Sequence, residues 1–330
     1  MMRFYLQKIA FYLVALWAAV TLNFLIPRLM PGNPVDIMIA KMGAAGQPIT
    51  PGTRHALEVE LGGSSGSLLQ QYGDYLVNLL HGNLGISLTN YPEQVTTVIG
   101  QALPWTIALI GIATIISFVL GVGLGMLAGW KRGSWLDNLI PVTTMFQAVP
   151  YFWLALILVL VFTRVIPLFP FAGGYDVTTT TPGFTLDFIG SAIYYGFLPA
   201  LTIVISSIGG WMLGMRNMMV STLSEDYIVT AEAKGLNPRR VRMTYAARNA
   251  VLPSLSGFAI SLGFVVSGSI VTEQVFSYPG IGQLLFTAVS NDDYALMQGV
   301  FLVISLSVLA ANLVVDVLYG LIDPRTRARS

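Results

Sequence analysis

The side chains able to do chemistry are few and scattered. The chain has no cysteine, which excludes disulfides, zinc–thiolate sites, iron–sulfur clusters and thiol nucleophiles. Its two histidines, His55 and His81, are too few for a histidine-rich metal site and are expected to be ordinary residues of one polar segment. Neither a paired-carboxylate site on one helix face nor a Ser–His–Asp arrangement is evident, so acid–base or nucleophilic catalysis has no constellation to rest on. No G-x-x-x-x-G-K-[ST] phosphate loop occurs, so any ATP chemistry must be carried by a different chain. No metal or cofactor is expected on this chain, and a net charge of +1 argues against a nucleic-acid partner.

What the sequence has instead is length without charge. Hydrophobic residues make up 55% and charged residues 10% of 330, against about 25% charged in a soluble domain. A bilayer core about 30 Å thick needs roughly 20 apolar residues in a helix. Six windows free of Asp, Glu, Lys and Arg are long enough: Ile9–Pro27, Gln94–Trp130, Asn138–Thr163, Phe188–Met215, Asn249–Thr272 and Tyr294–Val315. They predict an all-α integral membrane protein with six transmembrane helices and a lipid bilayer as solvent. In the second window the span is expected to start near Leu103–Pro104. The first window resembles a signal peptide, with Arg3 and Lys8 before it, but Thr21–Arg28 offers no small-x-small cleavage site, so it reads as a retained anchor.

The basic residues set the orientation. With the N-terminus inside, the inner side holds Arg3, Lys8, Lys131, Arg132, Arg216, Lys234, Arg239, Arg240, Arg242, Arg248, Arg325, Arg327 and Arg329, which is 13 of 17. Arg28, Lys41, Arg54 and Arg164 fall outside. This bias predicts cytoplasmic termini. The organisation expected is a tail and first span over 1–30, an extracytoplasmic segment over 31–101 and a core of five spans over 102–330. Within the outer segment, Leu68–Leu80 has helical apolar spacing and is expected to be a small cap; Gly62–Ser67 before it is flexible in composition.

The loop over 216–248, expected on the inner side, is the most informative stretch. Ser224 is placed to cap a helix whose first turn holds Glu225 and Asp226. Gly235 is placed to end it as a left-handed cap, followed by apolar Leu236, and Asn237 is placed to cap a second helix with Pro238 at its first position. Arg239, Arg240 and Arg242 open that second helix, where cations oppose the dipole; positive-inside bias, an acidic partner surface and lipid headgroups all account for them. A short, sharply broken helical knob is a poor ligand pocket and a good docking element.

At this loop the sequence resembles the ABC importer permeases, in their dipeptide/oligopeptide (peptide/nickel) branch. The resemblance rests on Thr230-Ala231-Glu232-Ala233-Lys234-Gly235-Leu236 followed by Arg248-Asn249-Ala250-Val251-Leu252-Pro253. It extends to Pro31-Gly32-Asn33-Pro34, Gln71-Tyr72, Gly82-Asn83-Leu84-Gly85-Ile86-Ser87, Leu103-Pro104, Thr272-Glu273-Gln274-Val275-Phe276, Pro279-Gly280-Ile281-Gly282, Asp316-Val317-Leu318-Tyr319 and Asp323-Pro324-Arg325. It implies a type I importer permease fold of the first-permease type, in a bacterial or archaeal cytoplasmic membrane. It also implies a second permease as heterodimer partner, two ATP-binding cassette ATPases holding ATP and Mg, and an extracytoplasmic solute-binding protein. The ATPase-coupling loop then falls on Thr230, Ala231, Glu232, Ala233, Lys234, Gly235, Leu236, Asn237 and Pro238; the family often has a basic residue where Glu232 stands. Glu273, Phe276, Pro279, Gly280 and Gly282 correspond to an outer segment near the pathway. The implied cargo is oligopeptides, with short oligosaccharides or chelated nickel as alternatives.

The remaining residues have plainer readings. Asp316, at the inner end of the last span, is expected to pair with a nearby arginine; no chain of acids continues it into a proton relay. The six tryptophans are expected mainly as interfacial anchors, some stacking on a ligand. Gly121, Gly123 and Gly125, and Gly209, Gly210 and Gly214, are expected where helices pack closely. An ion-coupled transporter or channel is the competing class, and neither intramembrane charges nor inverted repeats support it.

Overall fold

The computed structural model describes residues 2–29, 34–44 and 67–322. Residues 31–33, His55, Gly62–Gly66 and the Asp323-Pro324-Arg325 motif lie outside the described residues, as do the side chains that would test the pairing of Asp316. The described residues form helices and no strand, apart from one isolated bridge between Ile86 and Gln94. In chain order they are α1 (Met2–Leu29), α2 (Pro34–Ala44), α3 (Leu68–Leu80), α4 (Val95–Trp130), α5 (Trp135–Ala148), α6 (Tyr151–Val159) with a π turn at Leu160–Val165, and α7 (Leu186–Thr222). There follow α8 (Asp226–Ala233), α9 (Pro238–Arg240) with a π turn at Val241–Ala247, α10 (Arg248–Ala250), α11 (Leu252–Gly263), α12 (Ile270–Val275), α13 (Ile281–Ser290) and α14 (Tyr294–Ile322).

Four of these are long and apolar enough to cross a membrane, and six spans result if each of two bent pairs counts as one. Two of the six windows hold a bend. The third window breaks by 95° between α5 and α6. Pro150 cannot continue α5 and forces the residue before it out of the helical region, so Val149 is extended at φ −73°, ψ 128°. The fifth window bends by 50° at Val251, next to Pro253. The helix of the second window begins at Val95, ahead of Leu103–Pro104, and carries Pro104 inside it. At 36 residues α4 is longer than the roughly 20 a bilayer requires.

The chain divides into two compact units. The first comprises Met1–Trp105, Val266–Ile270 and Pro279–Ser330, and its core joins the start of α4 to α13 and α14 through Val95, Ile99, Ile281, Leu285, Leu296 and Val300. Within it α1 lies against α14, tied by Asn23 Nδ2 donating to the Gln298 carbonyl at 2.7 Å. The expected cap, α3, packs on α1 by its tyrosines. The rings of Tyr72 and Tyr75 lie 5.0 and 5.5 Å from that of Phe24, and Tyr72 shares a 2.7 Å hydrogen bond with Thr21. Its start is set by Ser67, whose hydroxyl accepts from Gln70 N.

The second unit comprises Thr106–Val265 and Val271–Tyr278. Here α4 packs on α7 along Gly121, Gly125 and Gly129, spaced four apart on one face. A Cβ at Gly121 would sit 2.6 Å from that of Trp211, one at Gly129 2.6 Å from that of Met219, and one at Gly125 would strike the Met212 carbonyl. Gly209 stands equally tight against the Thr143 backbone of α5, and Gly210 against Gln147. Gly123 and Gly214 meet nothing within 4 Å among the described residues. Phe118 stacks on Phe258 at 4.1 Å and meets Trp211 edge-on at 5.2 Å.

Candidate functional site

The loop between α7 and α11 folds as the knob that its residue types predict. α8 buries Ile228 and Ala231, three apart on one face, and exposes Tyr227, Val229, Thr230, Glu232 and Ala233 on the rest. Its C-terminus closes by a Schellman arrangement: Gly235 N donates to Glu232 O at 2.8 Å and Leu236 N to Ala231 O at 3.3 Å. Gly235 has φ +70°, a region open to glycine at no steric cost, and nothing lies within 4 Å of where its Cβ would stand. Leu236 folds back onto the core, Asn237 Oδ1 accepts from Arg239 N at 2.9 Å, and Pro238 takes the first helical position. The N-terminus of α8 differs from expectation. Glu225 occupies the cap position without a side-chain bond, and Ser224 turns its hydroxyl back to the Ser221 carbonyl at 2.7 Å. Ser224 still belongs to the turn that follows α7, its own N–H on the Ser221 carbonyl and Glu225 N on the Thr222 carbonyl, which leaves it one residue too early to cap.

The knob is anchored. Met215 and Met219 of α7, Ile228 and Ala231 of α8, Val241, Ala246 and Ala247 of the π turn, and Ala250 form one buried cluster. Asn249 Nδ2 donates to Tyr227 Oη at 2.9 Å and to the Tyr245 carbonyl at 3.2 Å, fastening α8 to the helix that follows. Beside it, Arg216 grips Asp137 with two nitrogens, Nε at 3.0 Å and an Nη at 3.3 Å, and Asp137 also accepts from Gly133 N. The three arginines of the second helix part company. Arg239 and Arg240 are exposed, whereas Arg242 lies 6.0 Å over the Trp130 ring as a cation–π contact. The result is an exposed rim of Tyr227, Val229, Thr230, Glu232, Ala233 and Lys234 on a hydrophobic root. Such a surface suits a protein partner rather than a small ligand.

A family described as the binding-protein-dependent transport system inner membrane component matches residues 121–328. The chain belongs to this family. Three full-length relatives agree. The di/tripeptide transport system permease DppB of Pseudomonas aeruginosa (strain UCBPP-PA14) is 34% identical over 340 residues, covering 99% of both chains. A putative peptide transport system permease of Brucella abortus (strain 2308) is 34% identical over 325 residues, covering 98% of both. The dipeptide transport system permease DppB of Escherichia coli (strain K12) is 32% identical over 348 residues, covering 99% of both. The chain is thus a multi-pass inner-membrane permease of the peptide ABC transporter family.

The other predicted site residues of the permease fall in different units. In the second unit Glu273 and Phe276 are buried, Glu273 fully, accepting from Thr106 Oγ1 at 3.0 Å, while Phe276 O accepts from Gly173 N at 3.0 Å. In the first unit Pro279 is half-buried, and Gly280 and Gly282 are buried at the start of α13. Of the tryptophans, Trp17, Trp135 and Trp153 are exposed as anchors would be, while Trp105, Trp130 and Trp211 are partly buried. Asp293 escaped sequence reasoning as a functional residue. Fully buried, it caps α14 through Leu296 N at 3.1 Å and also accepts from Ser87 Oγ at 2.6 Å and Thr89 N at 2.8 Å. Its position directly before a long apolar helix is the N-cap signal that points to it.

Proposed function

We propose that the permease forms half of the translocation pathway of an ATP-driven peptide importer, completed by a second permease subunit. Two ATP-binding cassette ATPases dock on the coupling loops of the two permeases, one of them on the knob over Thr230–Pro238, and an extracytoplasmic solute-binding protein delivers the cargo. ATP and Mg belong to the ATPases, since no phosphate loop occurs in this chain. Counting each bent pair as one crossing gives six transmembrane helices with both termini cytoplasmic, as the basic residues require. The observation that carries the reading is the glycine-closed knob itself: its exposed rim stands on a buried root shared with α7 and α10, so a push from a docked partner would pass into both. The names of the relatives, which specify dipeptide, di/tripeptide or peptide transport, favour peptides over oligosaccharides as cargo.

Replacing Gly235 by proline tests the docking. Proline fixes φ near −65° and has no N–H, so it removes both the left-handed turn and the bond to Glu232 O. Gentle extraction of tagged wild-type chain is expected to recover a second permease and phosphate-loop ATPases, and the variant only the permease pair. Wild-type chain recovered alone, under conditions that preserve a known transporter complex, would favour an ion-coupled transporter or channel.

A further inference from the structure

The first unit holds a cleft of about 420 Å³ between the 89–93 turn, the first three turns of α4 and the start of α13. That volume lies within the roughly 300–1,000 Å³ typical of small-molecule sites. The lining is chemically selective. Trp105 and Val98 supply apolar wall and Gln101 and Gln283 supply amides; among the described residues Glu93 is the one charged group of the lining, and no basic side chain joins it. Glu93 is exposed, and its carboxylate makes no ion pair among the described residues. Thr89 brings a buried hydroxyl oxygen that has no hydrogen-bond partner among the described residues. The turn that carries Thr89 and Glu93 is pinned from below by buried Asp293, which accepts from Ser87 Oγ and Thr89 N. Backbone bonds from Ser87 N to Glu93 O at 3.0 Å and from Glu93 N to Asn90 O at 2.8 Å close it. These groups are therefore placed before any ligand arrives, which lowers the ordering cost of binding.

From this lining we infer that the cleft is a peptide subsite, and that it takes the free amino-terminal residue of a short peptide. Glu93 faces the α-ammonium, Trp105 lies against the first side chain, and the amides of Gln101 and Gln283 with the Thr89 hydroxyl meet the first peptide group. A lone carboxylate without a basic neighbour repels the carboxyl-terminal end and phosphorylated or acidic cargo, and so orients the peptide. The inference rests on the peptide-import reading above, and it adds a place for the amino-terminal end within the permease itself that neither that reading nor the relatives' names contain.

The test uses the complete transporter with its binding protein in proteoliposomes, and a tripeptide whose first residue is a photoreactive phenylalanine. Label is expected within 95–130 and competed by unlabelled tripeptide. Glu93 is exposed and screened, so Glu93→Gln or N-acetylation of the probe is expected to lower labelling and uptake about three- to fivefold, with no further loss when combined. Glu93→Asp restores most of it. Equal labelling by free and N-acetylated probes, label elsewhere while tripeptide is still imported, or competition by oligosaccharide but not peptide would each overturn the subsite. If the wild-type transporter imports no peptide at all, the underlying reading falls and takes the subsite with it; import without amino-terminal preference removes the subsite alone.

Discussion

The α8 knob and the 87–93 turn solve the same problem by opposite means. Each must present exposed groups in a fixed position. The knob does so by local backbone chemistry: a glycine in the left-handed region, an asparagine cap and a proline at the first helical position, all within four residues. The turn depends on a carboxylate some two hundred residues away in sequence, Asp293, reaching Ser87 and Thr89 from below. Local devices are specified by residue type and spacing; a long-range anchor is specified by the fold. The two regions therefore differ both in what breaks them and in how early a reader of the sequence can see them.

The largest expected effect of substitution lies in neither region but beneath the knob, where α7 must stay close to α4. Gly125→Val drives a side chain into the Met212 carbonyl, which is backbone and cannot rotate away. Overpacking typically destabilises by about 1–3 kcal/mol, and a backbone clash belongs at the upper end or beyond. Gly123→Val, into open space, is the paired control. Thermal unfolding of the purified complex should separate the two; equal melting temperatures would show that the glycine stripe does not set helix spacing.

Next comes the anchor of the turn. Asp293→Asn keeps the shape and removes the charge from three hydrogen bonds, so a loss of about 1.5–3 kcal/mol is expected. Proteolytic nicking within 81–95 should accelerate while the knob keeps its resistance. If both regions loosen together, the independence drawn between them is wrong.

A smaller effect attaches to the Arg216–Asp137 pair, whose side chains are 28% and 14% exposed. A double-mutant cycle with Arg216→Ala and Asp137→Asn should return at most about 1 kcal/mol, falling with added salt. A coupling several times larger would mean that the pair is shielded by lipid or by a partner.

The smallest concerns the loop after the first π turn. Asp176 accepts from Thr178 Oγ1 at 2.6 Å and Thr178 N at 2.9 Å, and these bonds hold its carboxyl down to about 2 from 3.8. A depressed carboxyl stabilises the loop above the unfolded value and ceases to do so as pH falls through the folded one. Loop order should thus be complete above about pH 4 and lost toward pH 2, with Thr178→Val moving the titration back toward 3.8. Carboxyl-resolved NMR on a selectively labelled sample reads this directly, and an unmoved titration in the variant would assign the shift elsewhere.

The same contrast explains what was legible in the sequence. Charge-free windows announced the apolar helices because a bilayer penalises every unpaired charge. Gly235, Leu236, Asn237 and Pro238 announced the knob because each acts close to its own place in the chain. Ser224 misled, since it still belongs to the turn after α7 and its hydroxyl bonds back to the Ser221 carbonyl. Pro150 was visible as a residue, but the 95° break it permits is a property of packing around it. Asp293 looked like an ordinary acid near a span end, because burial at 0% exposure is decided by neighbours distant in sequence. Trp105 carried no mark distinguishing a cleft wall from an interfacial anchor.

The central claim is that the rim of α8 is the docking surface of an ATPase. It is tested most directly by placing a photoreactive amino acid at Glu232, exposed on that rim, and irradiating native membranes. The account predicts an adduct with a phosphate-loop ATPase that disappears when Gly235→Pro is added, while the same probe at Glu93 yields no ATPase adduct. An ATPase adduct that survives the proline, or none from Glu232 in membranes that import substrate, would contradict it.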